Sequence, residues 1–247
     1  MDLPSKKNLI QFLEKEDFFL WEYYGEGIGK IQSWIFRSRI KAMMKFVREL
    51  QLKPTMILDV GCGPMFISYA LVKKSINEYI GIDIMQIKRL RKYRDSMRKL
   101  GVEAIEVIRA DAETLPFRKG IFDFVLSLDV FEHLDKPREA AMEIHRVIKE
   151  RGIIAMSLPL ENLFHKVCRI GLVFMKITGD RVLKEVKRIR FSRGVGHYLG
   201  SVKSYEDMMK EWKKVFNLLH TRYAPVGLYR SISVNAVHIW RKEGVSY

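Results

Sequence analysis

From Asn8 to Leu50 the apolar residues return at helical spacing. Leu9, Ile10, Phe12 and Leu13 share one face, and Ile31, Trp34, Ile35 and Ala42 form a second. Gly25, Gly27 and Gly29 separate the two, and Pro54 closes the stretch. At Met56 the rhythm changes to short apolar runs alternating with amphipathic ones. Residues 56–60 read as a strand, followed by a glycine loop and a helix to about Lys73. Residues 78–84 read as a second strand, then a helix from about Gln86 to Leu100 that Gly101 stops. Residues 104–109 are a third strand. Residues 122–128 are a fourth, almost wholly apolar, as suits a strand buried on both faces. Asp135 is the expected cap of a helix with Pro137 in its first turn. Ala140, Ala141, Ile144, Val147 and Ile148 form its inner face, and Gly152 is its expected stop. Residues 153–158 are a fifth strand. Residues 160–200 interrupt the alternation. Ser204 and Asp207 then form a capping box ahead of Tyr205, Met208, Met209, Trp212, Val215 and Phe216. Two strand-like runs follow, about 218–224 and 233–241. The pattern predicts an α/β fold: a seven-stranded, mostly parallel sheet with helices on both faces. An N-terminal helical cap covers 1–53. The main domain covers 54–247 and carries a helical insertion at 160–200 after the fifth strand.

The 247 residues, 48% of them hydrophobic, suffice for one sizeable core. No apolar run is long enough to cross a bilayer, and Met1 to Lys7 lacks the apolar stretch of an export signal. A cytoplasmic protein is expected. Cys62 and Cys168 give neither zinc spacing nor a disulfide framework, and no metal is expected.

The formal net charge of +15 points to an anionic partner, a membrane surface or nucleic acid. Basic residues concentrate between Lys88 and Lys99 and again in the insertion. Between Lys166 and Arg193 nine Lys or Arg stand against Asp180 and Glu185. Leu160, Leu163, Phe164, Val167, Ile170, Gly171 and Phe174 repeat there at helical spacing. Such an insertion suits a lid that touches an anionic membrane surface through 160–193, or one that covers a greasy substrate. A cap helix with a solvated basic face is the plain alternative. RNA is less favoured, because no RNA-binding module or aromatic stacking platform is evident.

In an open parallel sheet, ligands bind beyond the carboxyl ends of the strands. After strand one come Gly61, Cys62 and Gly63, where glycines permit a tight turn and bring backbone N–H groups toward a polar ligand. A pyrophosphate-binding loop would carry a third glycine where Phe66 stands. Asp59, two residues before Gly61, would repel a pyrophosphate and attract an ammonium group. Asp83 ends strand two and suits a pair of ribose hydroxyls, with Ile84 beside it. Asp111 and Ala112 follow strand three, and Asp129 follows strand four. Each carboxylate alone reads equally well as a turn or cap residue, but four at one sheet edge form a set.

As an ordered series, Ile57-Leu-Asp-Val-Gly-Cys-Gly, Gly81-Ile-Asp, Asp111-Ala-Glu-Thr-Leu-Pro-Phe and Phe122-Asp-Phe-Val-Leu-Ser-Leu-Asp-Val-Phe-Glu-His-Leu resemble the Rossmann-like class I methyltransferases that use S-adenosylmethionine. The likeness is to the small-molecule branch related to ubiquinone and menaquinone methyltransferases. It covers about residues 55–160 and includes Glu143-Ile-His-Arg-Val-Ile-Lys and Gly152-Ile-Ile. The resemblance implies S-adenosyl-L-methionine as cofactor and S-adenosyl-L-homocysteine as product. Gly61, Cys62 and Gly63 would line the methionine portion, with Asp59 near its amino group. Asp83 would hold the ribose, Asp111 and Ala112 would face the adenine, and Asp129 would close the site near the sulfonium. Met65 stands where many members carry a third small glycine.

The expected function is methyl transfer to a small, hydrophobic or membrane-associated acceptor. RNA methylation, a nicotinamide-dependent dehydrogenase and a non-catalytic cofactor-binding partner are the alternatives. Displacement at a sulfonium requires mainly alignment and exclusion of water. A base is needed only where the nucleophile must lose a proton. His133 after strand four and His197, in Gly194-Val-Gly-His-Tyr, are the candidates. His197 and Tyr198 lie in the kind of glycine-bounded loop that closes over substrates. Tyr23 and Tyr24, beside the glycine cluster, either cover the cofactor or pack the cap onto the core. His197→Ala is expected to lower turnover on the acceptor while leaving cofactor affinity nearly intact, and unchanged turnover would overturn the role.

Overall fold

A computed structural model describes residues 3–13, 24, 29–72, 78–160, 205–224 and 235–243. Residues 161–204, including the greater part of the insertion, Ser204, His197 and Tyr198, lie outside the described residues, as do Tyr23 and Lys73. The helices are α1 (Lys6–Leu9), α2 (Gly29–Glu49), α3 (Phe66–Val72), α4 (Ile87–Lys99), α5 (Pro137–Val147) and α6 (Tyr205–Lys213). The strands are β1 (Met56–Val60), β2 (Glu78–Asp83), β3 (Ile105–Arg109), β4 (Phe122–Leu128), β5 (Ile148–Pro159), β6 (Asn217–Ala224) and β7 (Asn235–Arg241).

The strands form one sheet in the order β3-β2-β1-β4-β5-β7-β6. β1 to β5 run parallel, and β7 lies antiparallel between β5 and β6. The chain order reverses between β1 and β4, which makes their carboxyl ends the switch point where a ligand crevice opens. Helices cover both faces. Apolar residues of α1 to α4 form one buried cluster with the sheet, and those of α5 and α6 form the other.

Several local expectations are corrected. The inner row of α2 is Arg39, Ile40, Met43, Met44, Phe46 and Val47, whereas Trp34 is 54% exposed. α5 begins with Lys136, not Asp135, at its N-cap. The Lys136 N–H donates to Glu113, a carboxylate 23 residues earlier in the loop after β3. Gly152 does not stop α5. The helix runs directly into β5 at Ile148, and Lys149 to Gly152 bulge out of the pairing between Phe122/Ile148 and Phe124/Ile153. Gly152 is needed there because a Cβ would press on the Ile148 side chain and the Lys149 carbonyl. Buried Lys242 pins the bulge by donating to the carbonyls of His145 and Ile148, and its ammonium pairs with Glu150.

One clamp holds the loop that follows β3 toward the crevice. Arg146 on α5 donates to the carbonyls of Phe117 and Leu115, at 2.6 and 2.9 Å. Glu143, one turn earlier, accepts from the Leu115 N–H and from Arg146. The Arg146 bond holds the Glu143 carboxyl below its usual range. The loop's backbone groups are thereby satisfied by two side chains of a rigid helix. Arg146→Met, which keeps the aliphatic stem, is expected to lower unfolding free energy by about 2 kcal/mol, the worth of its two backbone bonds. Chemical denaturation measures this.

Candidate cofactor crevice

The loop from Gly61 to Met65 is closed on itself. Gly61 and Cys62 donate their N–H groups to the Ile82 carbonyl, at 2.8 and 3.0 Å. Gly63 donates to an Asp83 carboxylate oxygen at 3.0 Å, and Met65 to the Cys62 carbonyl at 2.9 Å. This corrects the expectation that the loop offers those N–H groups to a ligand. The glycines serve conformation and clearance instead. Gly61 and Gly63 have φ of 70° and 47°. A Cβ on Gly61 would overlap Val130, and one on Gly81 would sit 2.7 Å from the Cys62 sulfur.

The same packing accounts for Met65. It adopts φ of 57° although it has a side chain, a conformation that costs about 1–2 kcal/mol. Its side chain is fully buried against Gly81, an offset of similar size. Its carbonyl accepts from the Ser68 N–H and hydroxyl at the start of α3.

The four carboxylates end at one edge but have different surroundings. Asp59, paired in register with Gly81 and Leu126, is buried beneath the loop and accepts from the Tyr79 hydroxyl. Burial pushes its carboxyl up to about 7, against the lowering effect of Tyr79. Asp83 is half-buried, and its second oxygen accepts from the Met85 N–H. Ile84 beside it is 68% exposed and offers an apolar face at the rim. Asp111 is exposed and accepts from the Glu113 N–H, and Ala112 is buried beneath it. Cys62 turns its sulfur inward toward Gly81. Burial, then the charges of Asp59 and Asp83, push the thiol well above its ordinary range, so it stays neutral.

Asp129 has φ of 55° and is tied from several sides. It pairs with Arg39 of α2, accepts from the Ser157 hydroxyl, and accepts from the Asn235 amide at 3.0 and 3.1 Å. Glu132 lies buried near this group, and burial with the Asp129 charge pushes its carboxyl well upward. Sequence reasoning missed Arg39, Glu132, Ser157 and Asn235. Arg39 alone left a trace, as a charge in step with Ile40, Met43 and Phe46 on an apolar helix row.

His133 lies in the short turn Phe131–His133 at the same edge, with Nε2 3.9 Å from a Glu132 oxygen. Tyr24 donates its hydroxyl to the Pro4 carbonyl and packs its ring 6.2 Å from that of Phe66. It thus joins the N-terminal segment to the first residue of α3. Among the described residues no cluster of His, Cys, Asp or Glu is placed to hold a metal ion.

A sheet of this order, with its crevice at the β1/β4 switch, defines the class I methyltransferase architecture. The family model described as "Methyltransferase domain" matches residues 58–156, and this segment is similar to domains of that class. A rice 2-methyl-6-phytyl-1,4-hydroquinone methyltransferase is 29% identical over 108 residues, covering 44% of this chain and 32% of the relative. A malonyl-[acyl-carrier protein] O-methyltransferase of Geobacter sulfurreducens is 32% identical over 116 residues, covering 47% and 43%. The chain therefore spans less than half the length of these curated relatives. The N-methyltransferase NodS of Bradyrhizobium japonicum, solved with S-adenosyl-L-homocysteine, shares the fold with a TM-score of 0.62 at 12% identity, covering 97% of this chain and 98% of that one.

Asp59 titrates with a sign that can be tested. Its carboxyl rises from 3.8 to about 7 on folding, so the folded chain holds the extra proton between those values. Stability from this group is full below about pH 4 and falls as pH rises toward 7. Asp59→Asn should therefore raise the melting temperature at about pH 8 and leave it nearly unchanged at about pH 4. A pH series of thermal melts tests this, and equal shifts at both ends would overturn it.

Proposed function

We propose that the chain transfers a methyl group from S-adenosyl-L-methionine to a small, apolar acceptor and releases S-adenosyl-L-homocysteine. The observation that carries the reading is the self-closed loop beside a row of carboxylates. N–H groups engaged with Ile82 and Asp83 leave the loop a poor cradle for a pyrophosphate, and Asp83, joined by Asp59 as its carboxyl ionises near pH 7, sets a negative potential that favours a cationic ligand. This disfavours the nicotinamide alternative.

The sulfonium supplies a methyl group already activated by its positive charge. The chain's own residues bind, orient and exclude water. Gly61, Cys62 and Gly63 would border the methionine portion through their backbone. Asp59 would act from beneath on its ammonium group. Asp83 retains lone pairs for two ribose hydroxyls while it holds Gly63 and Met85. Ile84, Asp111 and Ala112 would frame the adenine, the first two from the exposed rim. Asp129, fixed by Arg39, Ser157 and Asn235, would close the crevice near the sulfonium. His133 and His197 are the proposed bases where the acceptor must lose a proton, and Tyr24 supports the crevice through Phe66.

The apolar acceptor is supported by the rice relative, which is named for a hydroquinone bearing a phytyl group. The cation excess of residues 166–193 supports a lid at 160–200 that meets an anionic membrane surface, with the N-terminal 1–53 as a cap, in a cytoplasmic, membrane-peripheral protein. Among the described residues no helix is long and apolar enough to cross a membrane.

Calorimetry should show saturable binding of S-adenosyl-L-methionine and none of NAD. Asp83→Ala should weaken that binding about a hundredfold, the worth of charge-assisted hydrogen bonds to two hydroxyls. Binding of NAD instead would overturn the reading. Radiolabelled methyl transfer into lipid, small-molecule, protein and RNA fractions should label the lipid or small-molecule fraction. Cofactor binding with no label in any fraction would favour a non-catalytic partner.

A further inference from the structure

The outer face of α4 carries cations in helical register. Lys88, Arg91, Lys92 and Lys99 fall at steps of three, one and seven, with Asp95 as the one acid of the stripe. They line, with Phe12 and Ser96, an open groove of about 390 Å³ between α4 and the N-terminal segment. The stripe is roughly 16 Å long at 1.5 Å per residue. The other three cations of the helix are turned elsewhere. Arg94 and Arg98 pair with Glu106 of β3, and Arg89 donates to Tyr93.

Apolar side chains border this charge. Lys99 sits over the Phe12 ring at 5.2 Å, and Ile10, two residues earlier, is 37% exposed. Lys6 and Lys7 stand on α1 in the same segment. A phosphodiester chain has no use for an exposed isoleucine, whereas a lipid headgroup layer takes both the cations and the apolar tip. An acidic protein would match the cations and leave Ile10 exposed.

We propose that the groove between α4 and the N-terminal segment at Phe12 is a docking surface for an anionic phospholipid membrane. Lys88, Arg91 and Lys99 meet headgroup phosphates, and Ile10 and Phe12 enter the headgroup boundary. This surface is separate from the cofactor crevice, and it does not depend on which acceptor is methylated.

Co-sedimentation of the full chain with phosphatidylcholine vesicles, with and without phosphatidylglycerol, tests it. Binding should require the anionic lipid and fall with salt. Each Lys or Arg near an anionic leaflet is worth roughly a factor of five, so Lys88→Gln/Arg91→Gln/Lys99→Gln should weaken partitioning about a hundredfold. The charge-matched control Lys41→Gln/Lys210→Gln/Lys213→Gln should weaken it far less, and both variants should keep the thermal melt of the parent. Ile10→Ser, which removes the apolar tip without changing the charge, should weaken binding with little change in its salt dependence. The proposal is overturned if the parent ignores anionic vesicles, if the two triple variants lose binding equally, or if the α4 variant keeps it. It is also overturned if tRNA at matched salt is held more tightly than vesicles through the same three cations.

Discussion

The crevice depends on how closely two strand ends, those of β2 and β4, can approach the loop between β1 and α3. Gly61 leaves no room for even a methyl group beside Val130, and Gly81 leaves none beside Cys62. These two contacts bring the ends of β2 and β4 against the loop, one from each side of β1. Once they are in place, the Ile82 carbonyl can accept two N–H groups and Asp83 can reach Gly63. Met65 completes the arrangement from inside. The carboxylates are thus held by a backbone that is already satisfied, and their charge is left to act on a ligand. This is the kind of preorganisation that an alignment-dominated displacement needs.

A second layer of order comes from the polar group around Asp129. Taking an arginine and a carboxylate out of water is costly, and an imperfect pair would be destabilising. Here the carboxylate also receives Ser157 from β5 and Asn235 from β7, and the Arg39 guanidinium lies 4.1 Å over the Phe36 ring. The left-handed backbone at Asp129 is a strained conformation for a residue with a side chain. The ties from α2, β5 and β7 hold it. Position, more than stability, is what this group supplies.

Much of this was legible from residue patterns. Short apolar runs located six of the seven strands to within about two residues and β5 except for its first five, and the carboxylates at four strand ends located the edge that matters. What stayed hidden depended on contacts distant in sequence. The N-cap of α5 is Lys136, whose N–H is held by the distant Glu113, and not Asp135, and the end of α5 is set by a bulge that Lys242 pins from the far end of the chain. Trp34 sat in a helical register that the true inner row, centred on Ile40 and Met43, does not use. The glycine loop was correctly placed, but its donors are consumed by a neighbouring strand that only tertiary structure brings near. The partners of Asp129 come from three separate elements, and Arg39 was the only one whose setting departed from its neighbours.

The bond from Arg39 to Asp129 also bears on how such a chain can change over evolutionary time. The central sheet offers a negative charge at the end of β4, and a helix from outside the core pattern supplies the matching cation. A different N-terminal segment could be exchanged for this one. It would inherit one obligation, to deliver a positive group to the same spot. The ion pair is in that sense a socket, and it fixes what any interchangeable cap must bring with it.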